Sequence, residues 1–266
     1  MVEAFLIKPF LALILITISC SLLGIFVLWK KLAYFGDGLS HSILLGFVLG
    51  AICGSNQATT IIIFAVFYAM LIELISLSRS FSKDTIIAIS SYFCIASAII
   101  LNDLWQRSFD LGSYVFGDIL TVTNTDINFL AAIAIITIFY TIFGFRKTLL
   151  ISINKDLAKI EGFKIKLWNL SFTVLLAVTV ALSVKIVGIF LMTALLVLPA
   201  AIARIFSISA KQMILLSLVI GICVTSFAFD LASKFDLTIS ALIIATFCLI
   251  FIFTLVLKKI SLHAKS

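Results

Sequence analysis

Proline occurs only twice in 266 residues, at Pro9 and Pro199, and charged residues make up 12% of the chain. So little of either excludes a Pro-rich linker between domains and a water-facing domain of any size. Histidine is equally scarce, with only His41 and His263. The five cysteines form no C-x-x-C pair and sit in or beside apolar runs. They read as small buried hydrophobes, not as a disulfide frame or a thiolate zinc site. No G-x-x-x-x-G-K-[ST] loop occurs, so any ATP hydrolysis is expected on another subunit. No H-E-x-x-H occurs either, which argues against an intramembrane metalloprotease.

What remains is apolar. Hydrophobic residues make up 63% of the chain and the mean hydropathy is +1.31. This composition predicts an all-α, polytopic bundle forming one membrane domain over 1–266. Nine segments are long enough to cross: Phe10–Trp29, Tyr34–Cys53, Thr59–Leu77, Thr85–Leu101, Ile127–Phe145, Leu167–Val184, Gly188–Ala203, Met213–Phe229 and Leu237–Leu257. The first lacks a small-residue cleavage pattern and reads as a span, not a signal peptide. Leu111–Val122 is expected to re-enter or to cross in part. Pro199 is expected to kink the seventh span.

The net charge of +7 does not point to nucleic acid, because the basic residues cluster at the ends of apolar runs. With the N-terminus outside, four of the nineteen basic residues (Lys8, Arg107, Lys185 and Lys234) fall outside and the other fifteen inside. That asymmetry predicts N outside and C inside.

The chemistry concentrates in YFGDGLSHSILLGFVLG, Tyr34–Gly50. Asp37 and His41 are four residues apart, so a helix places them on one face. A carboxylate and an imidazole so placed can share a borderline divalent cation such as zinc or manganese. The alternative is structural: Asp37 capping the helix entrance and His41 bonding a nearby carbonyl. Ionisable groups inside a membrane are costly and by default mark a substrate path, which favours the metal reading. Neutral imidazole is the ligating form, so uptake should weaken as His41 protonates. Gly38, Ser42, Gly46 and Gly50 form a small-residue stripe that invites a neighbouring helix.

The segment 148–166 is the most charged and is expected in the cytoplasm. Within it Ile153, Leu157 and Ile160 share a helical face, Asn154 can cap the start and Gly162 can close the end. A short helix with an apolar ridge could dock on a cytoplasmic partner or lie on lipid headgroups.

Four runs, in order, resemble the permease subunits of bacterial metal-ion ABC importers, the zinc-uptake permeases most of all. They are WKKLAYFGDGLSHSILLG (Trp29–Gly46), YVFGDILTVT (Tyr114–Thr123), DLAKIEG (Asp156–Gly162) and VKIVGIFLMTALLVLPAAIAR (Val184–Arg204). The resemblance implies a multi-pass protein of the bacterial inner membrane. It also implies a permease homodimer, a cytoplasmic ATP-binding subunit and an extracytoplasmic metal-binding protein. Zn²⁺ would be the transported substrate and no cofactor is bound permanently. It assigns metal coordination along the path to Asp37 and His41, and docking on the ATPase to Asp156, Leu157, Ala158, Glu161 and Gly162. The chain departs from the family after Asp236, where Leu237–Ser240 replaces the usual Pro and Gly, so a more regular outer turn is expected. A manganese or iron permease of the same family, a metal-chelate or cobalamin permease, and a proton-coupled carrier remain alternatives. Ligand types alone do not separate zinc from manganese or iron.

Overall fold

The computed structural model describes residues 4–54, 56–76, 81–105 and 117–263. Among them the elements are α1 (Ile7–Trp29), α2 (Ala33–Ile52), α3 (Gln57–Ile75), α4 (Lys83–Leu104), α5 (Asn124–Ile153), the short α6 (Lys155–Ile160), α7 (Ile165–Phe206), α8 (Ala210–Phe235) and α9 (Ile239–His263). Two single-turn 3-10 helices, Ala4–Leu6 and Ile119–Thr121, complete the set.

Polar side chains start many of these helices, because the first N–H groups of a helix have no internal partner. Asn56, Ser82 and Ser209 accept from Ala58, Thr85 and Gln212 at the starts of α3, α4 and α8. Thr123 and Asp126 form a reciprocal capping box at the start of α5. α1, α2 and α7 are the most buried, and α3, α4, α5, α8 and α9 surround them.

α7 is not one straight helix. Forty-two residues would extend about 63 Å, roughly twice the hydrocarbon core. Gly188 has φ 80° and ψ 168°, a conformation almost restricted to glycine. Before it, Phe26 of α1 packs on Phe172 and Lys30 reaches Asn169, so residues 165–187 run antiparallel to α1. After it, Cys20 meets Met192 and Gly24 lies against Leu196 and Ala200, so 189–206 run parallel to α1. The chain therefore reverses at Gly188, and nine segments traverse the bundle among the described residues. The reversal falls at the boundary expected between the sixth and seventh spans, eleven residues before Pro199. Torsions at Pro199 stay helical.

Basic groups gather at one end. Lys30, Lys83, Arg204 and Lys258 lie there, the last against the Ile205 carbonyl. We call this the inner end. Lys185 pairs with Asp126, and Lys234 with Asp230, at the other. α4 runs from the inner end to the outer end, and α5 starts at the outer end. Of the expected re-entrant stretch, 111–116 lie outside the described residues. Its last part forms the 3-10 turn, and Gly117 abuts Val187 and Gly188.

α5 runs on past the Arg146-Lys147 pair that ends the expected fifth span, as far as Ile153. Trp168 donates to Thr148 at 2.8 Å, Lys147 lies over the Trp168 ring and Ile151 is buried. Packing on the start of α7 thus sustains the added turns, and 148–153 are helix. The outer turn between α8 and α9 is short, with Asp236 in the left-handed region as the C-cap.

Candidate functional site

A tight turn joins α1 to α2. Lys31 takes a left-handed conformation and Leu32 N–H donates to Val27 O at 2.9 Å. α2 consequently starts at the inner end, and its rise places Asp37 about 6 Å and His41 about 12 Å along it. The small-residue stripe sits where expected, between two neighbours. A Cβ at Gly38 would strike Ile87 of α4, and Cβ atoms at Gly46 and Gly50 would press on Phe64 and Thr60 of α3. Ser42 and Ser40 donate back to the Gly38 and Gly36 carbonyls, both at 2.7 Å, so their hydroxyl protons stay within α2.

That close packing on α3 and α4 turns another stripe outward. Apart from the end residues Ala33 and Ile52, the less buried positions of α2 are Tyr34, Asp37, His41, Leu45 and Leu49, which recur at helical spacing. Asp37 Oδ1 and His41 Nε2 stand 3.7 Å apart, with about a third of each side chain exposed (36% and 32%). The separation exceeds a hydrogen bond. It matches two ligands of one ion: bonds of about 2.1 Å from each atom would meet at an angle near 120°, within reach of tetrahedral geometry. Tyr34 lies beside Tyr92 of α4 and near Asp37. This tyrosine pair was not anticipated from sequence, since its members are 58 positions apart. Among the described residues no group of three or more His, Cys, Asp or Glu side chains converges, so the pair offers two ligands and leaves the rest of a coordination shell open.

The cytoplasmic segment folds as its residues suggest. Asn154 accepts from the N–H groups of Asp156 and Leu157. Gly162 has φ 77°, its N–H meets Lys159 O, and Phe163 N–H meets Ala158 O, closing α6 with a Schellman motif. Ile153 and Ile160 are 73% and 81% exposed and Leu157 is half exposed. Ala158 faces inward and is fully buried. Asp156 pairs with Lys159 at 3.2 Å and Glu161 with Arg146 at 3.4 Å.

Residues 2–258 match the model of the ABC 3 transport family. The chain is 32% identical over 254 residues to the high-affinity zinc uptake system membrane protein ZnuB of Haemophilus influenzae, covering 92% of this chain and 94% of that protein. It is 29% identical over 248 residues to the manganese import system permease protein ScaB of Streptococcus gordonii, covering 93% and 89%. Its backbone resembles a chain of PsaBC from Streptococcus pneumoniae, solved in complex with Fab, with a TM-score of 0.82, 27% identity and coverage of 95% and 91%.

Proposed function

Since the chain belongs to the ABC 3 transport family, we propose that it is the membrane permease subunit of an ATP-driven importer of divalent metal ions, with Zn²⁺ as substrate. It acts as a multi-pass protein of a bacterial inner membrane. The zinc assignment leans on the greater identity to the zinc uptake proteins than to the manganese permeases. A manganese substrate is the second reading, since both kinds of relative share the family.

The observation that carries the site is the Asp37–His41 pair, 3.7 Å apart on a part-open face of α2. An ion delivered by an extracytoplasmic binding protein would be held by one carboxylate oxygen and one imidazole nitrogen. Two protein ligands leave the ion partly hydrated, weakly enough held to move on. A second copy of the permease facing this stripe would enclose the path. ATP binding and hydrolysis occur on a separate cytoplasmic subunit, which docks on the exposed ridge of Ile153, Leu157 and Ile160. Ala158, Asp156 and Glu161 support that ridge: Ala158 packs inward, Asp156 pairs with Lys159 within α6, and Glu161 ties its end to Arg146 of α5. Gly162 ends it.

In a strain dependent on this importer, His41→Ala is expected to abolish growth under zinc limitation while the protein inserts at normal levels. Normal growth by that variant would refute the site. Competition between Zn²⁺ and Mn²⁺ for uptake decides the metal.

A further inference from the structure

At the inner end, the last residues of α1, α3 and α5 and the first of α4, α6 and α7 surround a cavity of about 260 Å³. Lys30, Lys31, Lys83 and Lys155 line it, against one carboxylate, Glu73. Glu73 is already engaged, accepting from Lys83 Nζ at 2.7 Å and from Thr173 Oγ1 at 2.9 Å. Lys30 donates to Asn169 and lies 5.0 Å from the Phe172 ring centre. Lys31 and Lys155 are exposed at the mouth. Burial, reinforced by the ammonium of Lys83, pushes Lys30 down to about 8, although Glu73 opposes the shift.

Lysines that orient a membrane helix need only reach water. They need not converge, and a largely buried ammonium facing two others is unfavourable without a counter-ion. Four cations against one carboxylate leave an excess of three. A cationic passenger is a poor occupant. We propose that this cavity binds a phosphate group, carried by the headgroup of an anionic phospholipid in the inner leaflet. Lysine ammonium groups bind phosphate as point charges, and basic pockets between membrane helices on the cytoplasmic side suit anionic headgroups. The walls favour a lipid over a soluble anion: Trp29, Leu32, Ile151 and Phe172 give the glycerol and upper acyl chain an apolar surface beside the lysines. Trp29 also marks the interfacial depth where headgroups lie.

The test uses the full-length chain in neutral detergent, titrated with phosphatidylglycerol, phosphatidylcholine or inorganic phosphate while thermal unfolding is followed. Phosphatidylglycerol should raise the midpoint at lower concentration than phosphatidylcholine, and the gain should shrink with salt. Lys31→Gln and Lys155→Gln should each weaken this binding about fivefold, whereas Lys31→Arg and Lys155→Arg should retain it. The exposed inner lysines Lys211 and Lys259, which do not line the cavity, serve as controls and their Gln variants should bind as wild type. Equal stabilisation by phosphatidylcholine, or equal loss in the control variants, would overturn the site. Inorganic phosphate acting as strongly as phosphatidylglycerol would overturn the lipid source.

Discussion

Lys30 sits one residue beyond the end of α1, and its environment gives it a measurable signature. Its ordinary value of 10.5 falls to about 8 in the fold, chiefly through burial. Below pH 8 the folded protein therefore holds a charge it disfavours, and the cost is constant there. Between about 8 and 10.5 the unfolded chain binds more protons than the folded one, so stability should rise with pH across that window. In anion-free neutral detergent the unfolding midpoint of wild type should climb relative to Lys30→Gln between pH 8 and 10. A flat difference would mean that Lys30 is better solvated than its surroundings indicate. Asp37 and His41 pose a different residue-scale question. Their spacing was legible from the sequence, because i and i+4 share a helical face whatever surrounds them. The lysine cavity was not, because Glu73, Lys83 and Thr173 come from three helices and only folding brings them together.

Helix ends and reversals carry the next level. The nine apolar segments and the capped α6 could be read directly, since crossing length and capping chemistry are local. Where α5 ends could not. A basic pair marks the membrane boundary, but a helix continues into water when tertiary packing sustains it, as Trp168 and Thr148 do here. The reversal between the sixth and seventh spans falls on Gly188, because only glycine readily takes its torsions. Gly188→Ala should destabilise the fold by about 1–3 kcal/mol, read as a lower unfolding midpoint. Gly24 sets a second limit, since a Cβ there would overlap the Leu196 carbonyl oxygen. On α6, Ile160 is 81% exposed and contributes little to the core. Ile160→Asp should leave expression and unfolding unchanged but weaken co-purification of the ATP-binding subunit. Undiminished co-purification would remove that ridge from the docking surface.

The whole molecule divides its labour between two ends. Acid–base pairs such as Asp126–Lys185 face one side, and the lysine-rich cavity and α6 face the other. With the N-terminus outside, Cys53 after α2 is reachable from the exterior. A variant keeping only Cys53 should react with a membrane-impermeant thiol reagent in intact cells. Lys259→Cys in the same background should react only after permeabilisation. The opposite pattern would invert the orientation deduced from charge.

Between these ends lies the face of α2 on which the transport reading rests. The most direct measurement is ⁶⁵Zn uptake into proteoliposomes holding the complete importer, compared between wild type, Asp37→Asn and His41→Ala at matched ATP hydrolysis. Uptake should be lost in His41→Ala and reduced at least tenfold in Asp37→Asn, about 1.4 kcal/mol of weakened ion binding in the path. Wild-type uptake by both variants would contradict a metal path through the Asp37–His41 pair.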